Sequence, residues 1–448
     1  MQVNRISRLF QPFKKAPKSS GDVNSKENLS KSQRLMLDYG LIAPAGKGFY
    51  YSLPLVQRSQ QKLINLIDLA MGKLGAQRIQ CPTLTPAEYW KKTGRLEQEK
   101  SELFLLNDRH EKQYVLSPTH EESITALLAD TKLSHKSLPL LFYQFSSKFR
   151  DEPRPKFGLM RSREFLMKDL YAFSANEVEA NEVYNLVSKC YNDVFQTLGI
   201  KYRKVLGDSS SLGGSLSHEY HILHNIGEDD LLVCPSCNTG VNVTAHPNEE
   251  NCPECGGGLE HTRGIEVAHT FLLGTRYSDA LGARYTSPDN TLTPLVLSSY
   301  GIGVSRLLAA SLELLSSDVE LRWPLALAPY SVVIIPPKEG SKEAKFTGHL
   351  VNKLYSTLSS VPTLYNDLII DDRTDLTLGR RIMEAKLMGY PYIVVIGKAA
   401  AQTPSLFEII DLSTDFSQEL SMEALYGFLS LRTSAVPPDM KNKMSGVQ

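Results

Sequence analysis

The sequence predicts an α+β body of antiparallel strands with intervening helices, followed by a smaller α/β domain. Three observations predict it. At 448 residues the chain is longer than one hydrophobic core ordinarily serves. Up to about Tyr300 many short strand-like runs lie between helices without a regular strand-helix alternation. From Pro329 the pattern changes, and SVVIIPP, DLIIDD and YIVVIG are separated by helical segments, as in a mostly parallel sheet. The Pro-containing LRWPLALAPY marks the boundary, so the expected extents are 1–29 for a leading segment, 30–327 for the body and 328–448 for the tail.

The leading segment carries Arg5, Arg8, Lys14, Lys15 and Lys18 and no acid before Asp22. With Val3, Ile6, Leu9 and Phe10 at roughly helical spacing, it reads as a mitochondrial transit peptide or a disordered basic tail. Lys and Arg number 49 against 49 Asp and Glu, so without that segment the remainder is mildly acidic. Any nucleic-acid contact must then come from local patches. Apolar content of 42% and charged content of 22% are globular values, and no apolar run is long enough to span a bilayer.

In chain order, Pro54 opens a long helix whose buried face is Leu63, Ile64, Ile67, Ala70, Met71 and Leu74, with Gly75 as its stop. QRIQCPTL follows as a strand interrupted by Pro82, which belongs at an edge and points to contact with another chain. SELFLLNDRHEKQYVLSPTHEES gives two strand runs and a helix start. The stretch FRDEPRPKFGLMRSREFLMKDLYAF, residues 149–173, reads as two strands around a Pro/Gly turn, and a capping box from Ser174 to Glu177 starts the next helix. Cys190 falls on an apolar helical stripe and Cys81 in a strand run, both core positions. EVAHTFLLG and TPLVLSSY are later strands, and VSRLLAASLELLS is a helix.

The other cysteines form CPSC (Cys234, Cys237) and CPEC (Cys252, Cys255), an insertion at about 230–260. Two C-x-x-C turns present four thiolates, the donor set of a structural zinc site, with unmetallated cysteines the alternative. No open, His-containing set suggests catalytic zinc.

Residues 149–173 hold six Lys/Arg and four Asp/Glu. As a hairpin they offer guanidinium forks for phosphates, a carboxylate for an exocyclic amine and an aromatic ring for a base. An exposed ion-pair ladder would have the same composition. SSYGIGVSRLLAA adds Gly301 and Gly303, which permit close backbone approach, and Arg306 on the following turn. It lacks the third glycine of a dinucleotide fold and the GK[ST] of a P-loop.

FRDE, Arg161-x-x-x-Phe165-x-x-x-Asp169 and GIGVSR resemble motifs two and three of the class II aminoacyl-tRNA synthetases, and GAQRIQCPTLTPAEYW resembles motif one. SPTHEES, FGLMRSREFLMKD, GGSLSHE and DDRTDLTLGRR resemble prolyl-tRNA synthetases of the bacterial and mitochondrial kind, over about residues 30–430. The resemblance implies a class II antiparallel-sheet catalytic domain followed by an anticodon-binding domain. It implies a homodimer that uses ATP, Mg2+, L-proline and tRNA(Pro) in the mitochondrial matrix.

By the same resemblance Arg150 holds the proline carboxylate and the ATP α-phosphate, and Glu152 receives the adenine amine. Phe165 stacks on adenine, and Arg306 grips the γ-phosphate. Arg161, Gly301 and Gly303 belong to the ATP site. Thr119 and Glu121 accept from the proline nitrogen, and His218 and Ser299 wall its pocket. Ser299 stands where the family often has cysteine. Arg373, Arg380, Arg381 and Lys386 are tRNA-contact candidates, each also readable as part of a solvated basic helix face. The interval 174–297 leaves no room for a large editing domain, so alanine is expected to be activated detectably. The alternatives are a class II ligase for another amino acid such as threonine, and a non-catalytic synthetase-like subunit that binds nucleic acid.

Overall fold

The structure is a computed structural model, and it describes residues 3–12, 29–208, 212–237, 239–246 and 249–434. It parts into two compact units, one of Pro44–Tyr50 with Leu63–Ala310, the other of Met1–Ala43, Tyr51–Lys62 and Ser311–Gln448. The body-tail boundary expected at 327/328 is therefore not where the compact units part, and the leading residues fall in the unit that holds the tail. No helix among the described residues is long and apolar enough to cross a membrane.

In the first unit the elements that matter are α1 (Glu121–Ala129), β1 (Leu140–Phe149), β2 (Glu164–Ser174), α2 (Glu177–Thr197), β3 (Leu216–Leu223), β4 (Glu260–Gly274), β5 (Val296–Gly303) and α3 (Val304–Leu315). β3, β4, β5, β2 and β1 belong to a nine-stranded sheet, with each of β3/β4, β4/β5, β5/β2 and β2/β1 antiparallel. Directly opposed residues share a face, so register builds rows across the sheet. One row runs Gln144, Asp169, Gly301, His269, Glu219, and the next on that face runs Phe142, Tyr171, Ser299, Phe271, Ser217. β3 and β4 also join strands Arg203–Leu206, Thr239–Asn242 and Asp229–Val233 in a closed ring around Val205, Leu231 and Val233.

Local chemistry accounts for the element ends. The long helix is Pro54–Lys73, and Gly75 follows it at φ 69, a conformation that suits glycine. α2 is capped by Asn176, whose side chain accepts from the Glu179 N–H, while Glu179 accepts from the Ala175 N–H. The capping pair is thus two residues beyond the expected Ser174 start, because Ser174 is still paired in β2. QRIQCPTL is not one strand: Gln77–Arg78 pairs at the edge beside β1, Leu84–Pro86 joins another sheet, and Pro82 lies between them.

The other unit contains β6 (Val332–Ile335), α4 (Leu350–Ser359), β7 (Leu368–Ile370), α5 (Leu378–Met388), β8 (Tyr392–Val395), β9 (Leu406–Asp411), β10 (Phe416–Ser421) and α6 (Met422–Arg432). The sheet order is β7-β6-β8-β9-β10, parallel through β8 and then antiparallel. The parallel part is fully buried Val/Ile sequence, as expected when helices cover both faces. The β9–β10 hairpin was not expected from sequence, since β10 is mostly exposed and carries no apolar alternation.

The leading segment departs most from expectation. Residues 3–12 are not a disordered tail: Arg5 forms a parallel bridge with Ile370, and Val3 packs against the core of the unit. Residues 13–28 lie outside the described residues.

Candidate active site

A cavity of about 450 Å3 opens over the two rows of side chains. Its floor is β5, where Gly301 and Gly303 line the space. A Cβ at Gly301 would meet only the Met167 Sδ, at 3.6 Å, so the protein alone does not demand glycine there. What the bare backbone provides is a flat surface that a ligand can approach.

Arg150 and Arg306 mark one part of the wall. Arg150 directly follows β1, with its N–H bonded to the Arg163 carbonyl at 2.9 Å and its guanidinium 5.4 Å from the Phe165 ring centroid. Burial, and then the charge of Arg306, hold its pKa below the usual value. No carboxylate among the described residues pairs with it. Arg306 is fixed by the Met160 carbonyl at 2.8 Å and the Glu266 carboxylate at 3.1 Å. Two guanidiniums that repel one another beside an open cavity make a site for an anion.

Glu152, in the loop beyond β1, accepts from Arg161 at 2.8 Å. Burial works against ionisation, yet the Arg161 bond holds its carboxyl below the usual range. Arg161 also pairs with Glu228, and Lys156 meets Glu228 at 2.5 Å, so these loop charges are tied to one another. Arg161 and Glu152 line an adjoining cavity of about 260 Å3 that shares Arg150, Glu266 and Arg306 with the first.

A second constellation is built on the start of α1. Thr119 Oγ1 donates to Glu121 at 2.6 Å, and Ser299 Oγ donates to the other Glu121 oxygen at 2.7 Å. Arg95, itself buried and bidentate to Glu99, lies 3.4 Å from Glu121 and 3.1 Å from Glu122. With their protons committed to Glu121, Thr119 and Ser299 retain lone pairs for a donor.

Beneath these residues runs a buried polar chain. Lys148 Nζ reaches His120 Nδ1 at 2.6 Å, Ser146 Oγ at 2.8 Å and Asp169 Oδ2 at 2.9 Å, which uses all three ammonium donors. His120 Nε2 meets the Pro82 carbonyl at 3.0 Å, so the ring is neutral with its proton on Nε2. Burial and the Lys148 charge push its pKa down to about 4. Asp169 Oδ2 also accepts from Gln144 and Tyr171, each at 2.9 Å, and Tyr171 accepts from the His120 N–H at 2.7 Å. Asp169 Oδ1 is buried without a partner, and Asp169 lines the cavity.

His218 is not where it was expected. It bonds Tyr184 at 2.7 Å and does not line the cavity. The histidine on the wall is His269, stacked on Phe271 at 3.8 Å and bonded to Glu266 at 2.8 Å and Ser217 at 2.5 Å. The error has a one-residue cause: on β3, Ser217 and Glu219 belong to the cavity rows, and His218 faces the other way. His269 is directly opposite Gly301, a pairing that no motif in the sequence announces.

Comparison with known proteins decides the family. Residues 104–314 match the family described as tRNA synthetase class II core domain (G, H, P, S and T), and residues 331–431 match Anticodon binding domain. The chain is 45% identical over 431 residues to the probable proline–tRNA ligase, mitochondrial, of Rattus norvegicus, covering 94% of this chain and 90% of that protein. The chain belongs to the prolyl-tRNA synthetase family. The bacterial proline–tRNA ligase of Sulfurimonas denitrificans is 35% identical over 442 residues, covering 94% of this synthetase and 98% of its own length. In fold, the synthetase matches Giardia lamblia prolyl-tRNA synthetase in complex with prolyl-adenylate at TM-score 0.74 and 20% identity, covering 89% of this chain and 76% of that one.

Away from the cavity, the synthetase brings its four cysteine sulfurs within 4.8 Å of one another. Cys234 and Cys255 are 3.5 Å apart and Cys237 and Cys252 3.4 Å, too far for disulfides and close to the ~3.8 Å edge of a sulfur tetrahedron with Zn–S of about 2.3 Å. Backbone N–H groups of Cys237 and Ser236 pull the Cys234 thiol down to about 6. Both the donor type and the spacing fit zinc. In the tail, Arg373 is paired with Asp371 and Glu384, Arg380 with Glu384, and Arg381 is buried against two carbonyls.

Proposed function

We propose that the synthetase joins L-proline to ATP as prolyl-adenylate in this cavity and then passes the prolyl group to tRNA(Pro). The observation that carries the reading is the pairing, in one cavity, of two guanidiniums beside the glycine strand with the Thr119–Glu121–Ser299 acceptor cluster. A carboxylate oxygen attacks the α-phosphorus, the bond to pyrophosphate breaks, and no proton leaves the nucleophile. Catalysis therefore rests on positioning and charge neutralisation.

Arg150 neutralises the proline carboxylate and the α-phosphate, and Arg306, steadied by Glu266, takes the γ-phosphate. Phe165 stacks on adenine, and Glu152, with one oxygen held by Arg161, offers the other to the adenine amine. The secondary ammonium of proline donates to Thr119 and Glu121, and His269 with Phe271 closes the apolar side of its pocket. Mg2+ would neutralise phosphate charge, and Glu266 and Asp229 would hold it. Their repulsion fits a cation: burial and the Glu266 charge push Asp229 up to about 6.

We further infer a homodimer, a mitochondrial location in keeping with the names of the mammalian relatives, and a structural zinc on Cys234, Cys237, Cys252 and Cys255. Transfer-RNA contact by Arg373 and Arg380 would require them to exchange the ion pairs they now make.

Proline-dependent ATP–pyrophosphate exchange is the decisive measurement. Arg150→Ala should lower it by about 10²–10³-fold or more, the scale for one essential charge-stabilising donor, with the fold intact. Exchange driven by threonine and not proline would defeat the substrate assignment, and an unchanged Arg150→Ala rate would defeat the role of that residue.

A further inference from the structure

The first dozen residues are built into the unit that carries the anticodon-binding match, although that match begins only at residue 331. Next to β7, the edge of the sheet, the Ile370 N–H donates to the Asn4 carbonyl at 3.0 Å, and Asn4 Nδ2 donates to the Leu368 carbonyl at 3.0 Å and to Asn366 at 3.1 Å. Ser7 donates twice to Asp372, from its N–H at 3.0 Å and its hydroxyl at 2.7 Å. Further on, Gln11 donates to the Tyr39 carbonyl at 2.9 Å, and a Cβ on Gly40 would strike the Pro12 backbone at 2.9 Å. A tail that merely lay on the surface would not need specific acceptors at residues 4, 7 and 11 or a glycine opposite Pro12.

The segment also completes a cavity. About 450 Å3 lies at the carboxyl ends of the parallel strands β6 and β7, where open α/β sheets bind ligands, lined by Pro336, Asn352, Asp372 and Thr374, and by Arg5 from the N-terminus. Arg5 is 3.8 Å from Asp372 with its side chain about a third exposed. Arg8 is exposed and makes no ion pair among the described residues, and Phe10 is 67% exposed. Arg373 and Arg380, the basic residues expected to meet RNA, are by contrast held by carboxylates. Free guanidiniums beside an exposed ring are what an unpaired RNA loop recruits, through phosphates and base stacking.

We propose that residues 3–12 are a permanent outer strand of the tRNA-binding unit, and that Arg5, Arg8 and Phe10 touch tRNA. Any removal of a leader then stops before Val3, because cleavage beyond Pro12 would strip the edge of β7 and one wall of the cavity. The proposal rests on the reading of the C-terminal unit as a tRNA-binding one.

The test uses the full chain with Arg5→Ala and Arg8→Ala together, Phe10→Ala alone, and a deletion of residues 1–9. Each should raise the KM for tRNA(Pro), by about 10-fold for the double variant at ~1 kcal/mol lost per phosphate contact, while leaving proline-dependent pyrophosphate exchange unchanged. In the deletion, the Ile370 amide should also lose protection from hydrogen exchange. An unchanged KM in the two side-chain variants overturns the RNA contact, and a protected Ile370 amide after deletion overturns the strand. The native protein should retain Val3 by intact mass; a mature terminus beyond Pro12 overturns permanence. Wild-type protein that forms adenylate but has no affinity for tRNA would instead bring down the reading of the C-terminal unit, and this proposal with it.

Discussion

Lys148 carries a buried charge and touches no substrate group, yet it holds Asp169, and through Tyr171 and His120 the first turn of α1. Asp169 Oδ1, unpartnered beside the cavity, adds a second negative centre to Glu121. Asp169→Asn keeps the shape and removes that charge. Its KM for proline should rise roughly 10-fold, about 1.4 kcal/mol, with the KM for ATP unchanged. A parallel rise for both substrates would mark general disruption. The same network has a pH signature. His120 and His218 are pushed down by burial to about 4 and about 3, so between about 6.5 and 4 the unfolded chain binds protons that the folded one refuses. Asp229, raised to about 6, takes up a proton in the folded state over much of that range and offsets one of the two. Stability should therefore fall as pH drops from 6.5 to 4, by about 1.4 kcal/mol per pH unit, the value of one net proton. Urea midpoints at successive pH values measure it, and His120→Gln should flatten the dependence.

At the scale of elements, the motif-bearing strands were legible because their chemistry is local. Arg150, Glu152 and Phe165 belong to one hairpin, and Gly301, Gly303 and Arg306 to one strand-helix junction. What could not be read was register, which brings His269, Glu219 and Asp169 into a row with Gly301 and turns His218 away. The cysteine turns are likewise local motifs, and their convergence is a matter of the ring of strands that carries them. Purified protein should contain one zinc per chain by metal analysis. Cys234→Ser with Cys252→Ser should abolish it and lower the Tm, while proline-dependent exchange falls only as far as stability does. Absence of zinc in freshly purified protein would reject the site.

For the whole molecule, the interval between β2 and β5 holds α2, the ring of strands and the cysteine turns, with no large additional unit among the described residues. Discrimination against alanine then rests on the pocket alone, which is worth about 1–3 kcal/mol for a small missing group. Alanine-dependent exchange should be detectable within about 10–200-fold of proline in kcat/KM, and alanyl-tRNA(Pro) should persist rather than be hydrolysed. Light scattering at micromolar concentration should give twice the 49.9 kDa chain mass. A strictly monomeric, active protein would remove the dimer from the proposed function.

The sequence by itself determined the family, the succession of two architectures and the residue types at the phosphate and adenine positions. These depend on short motifs in which the backbone brings neighbours together whatever the rest of the chain does. Only tertiary structure decided which histidine walls the pocket, that Lys148 and Asp169 form one buried chain, that Arg373 and Arg380 are already paired, and that the basic N-terminus is a strand. The physical reason is common to all four. Each depends on pairing between distant segments, and a one-residue change of register or an added edge strand reverses which side chains meet without altering a single local pattern.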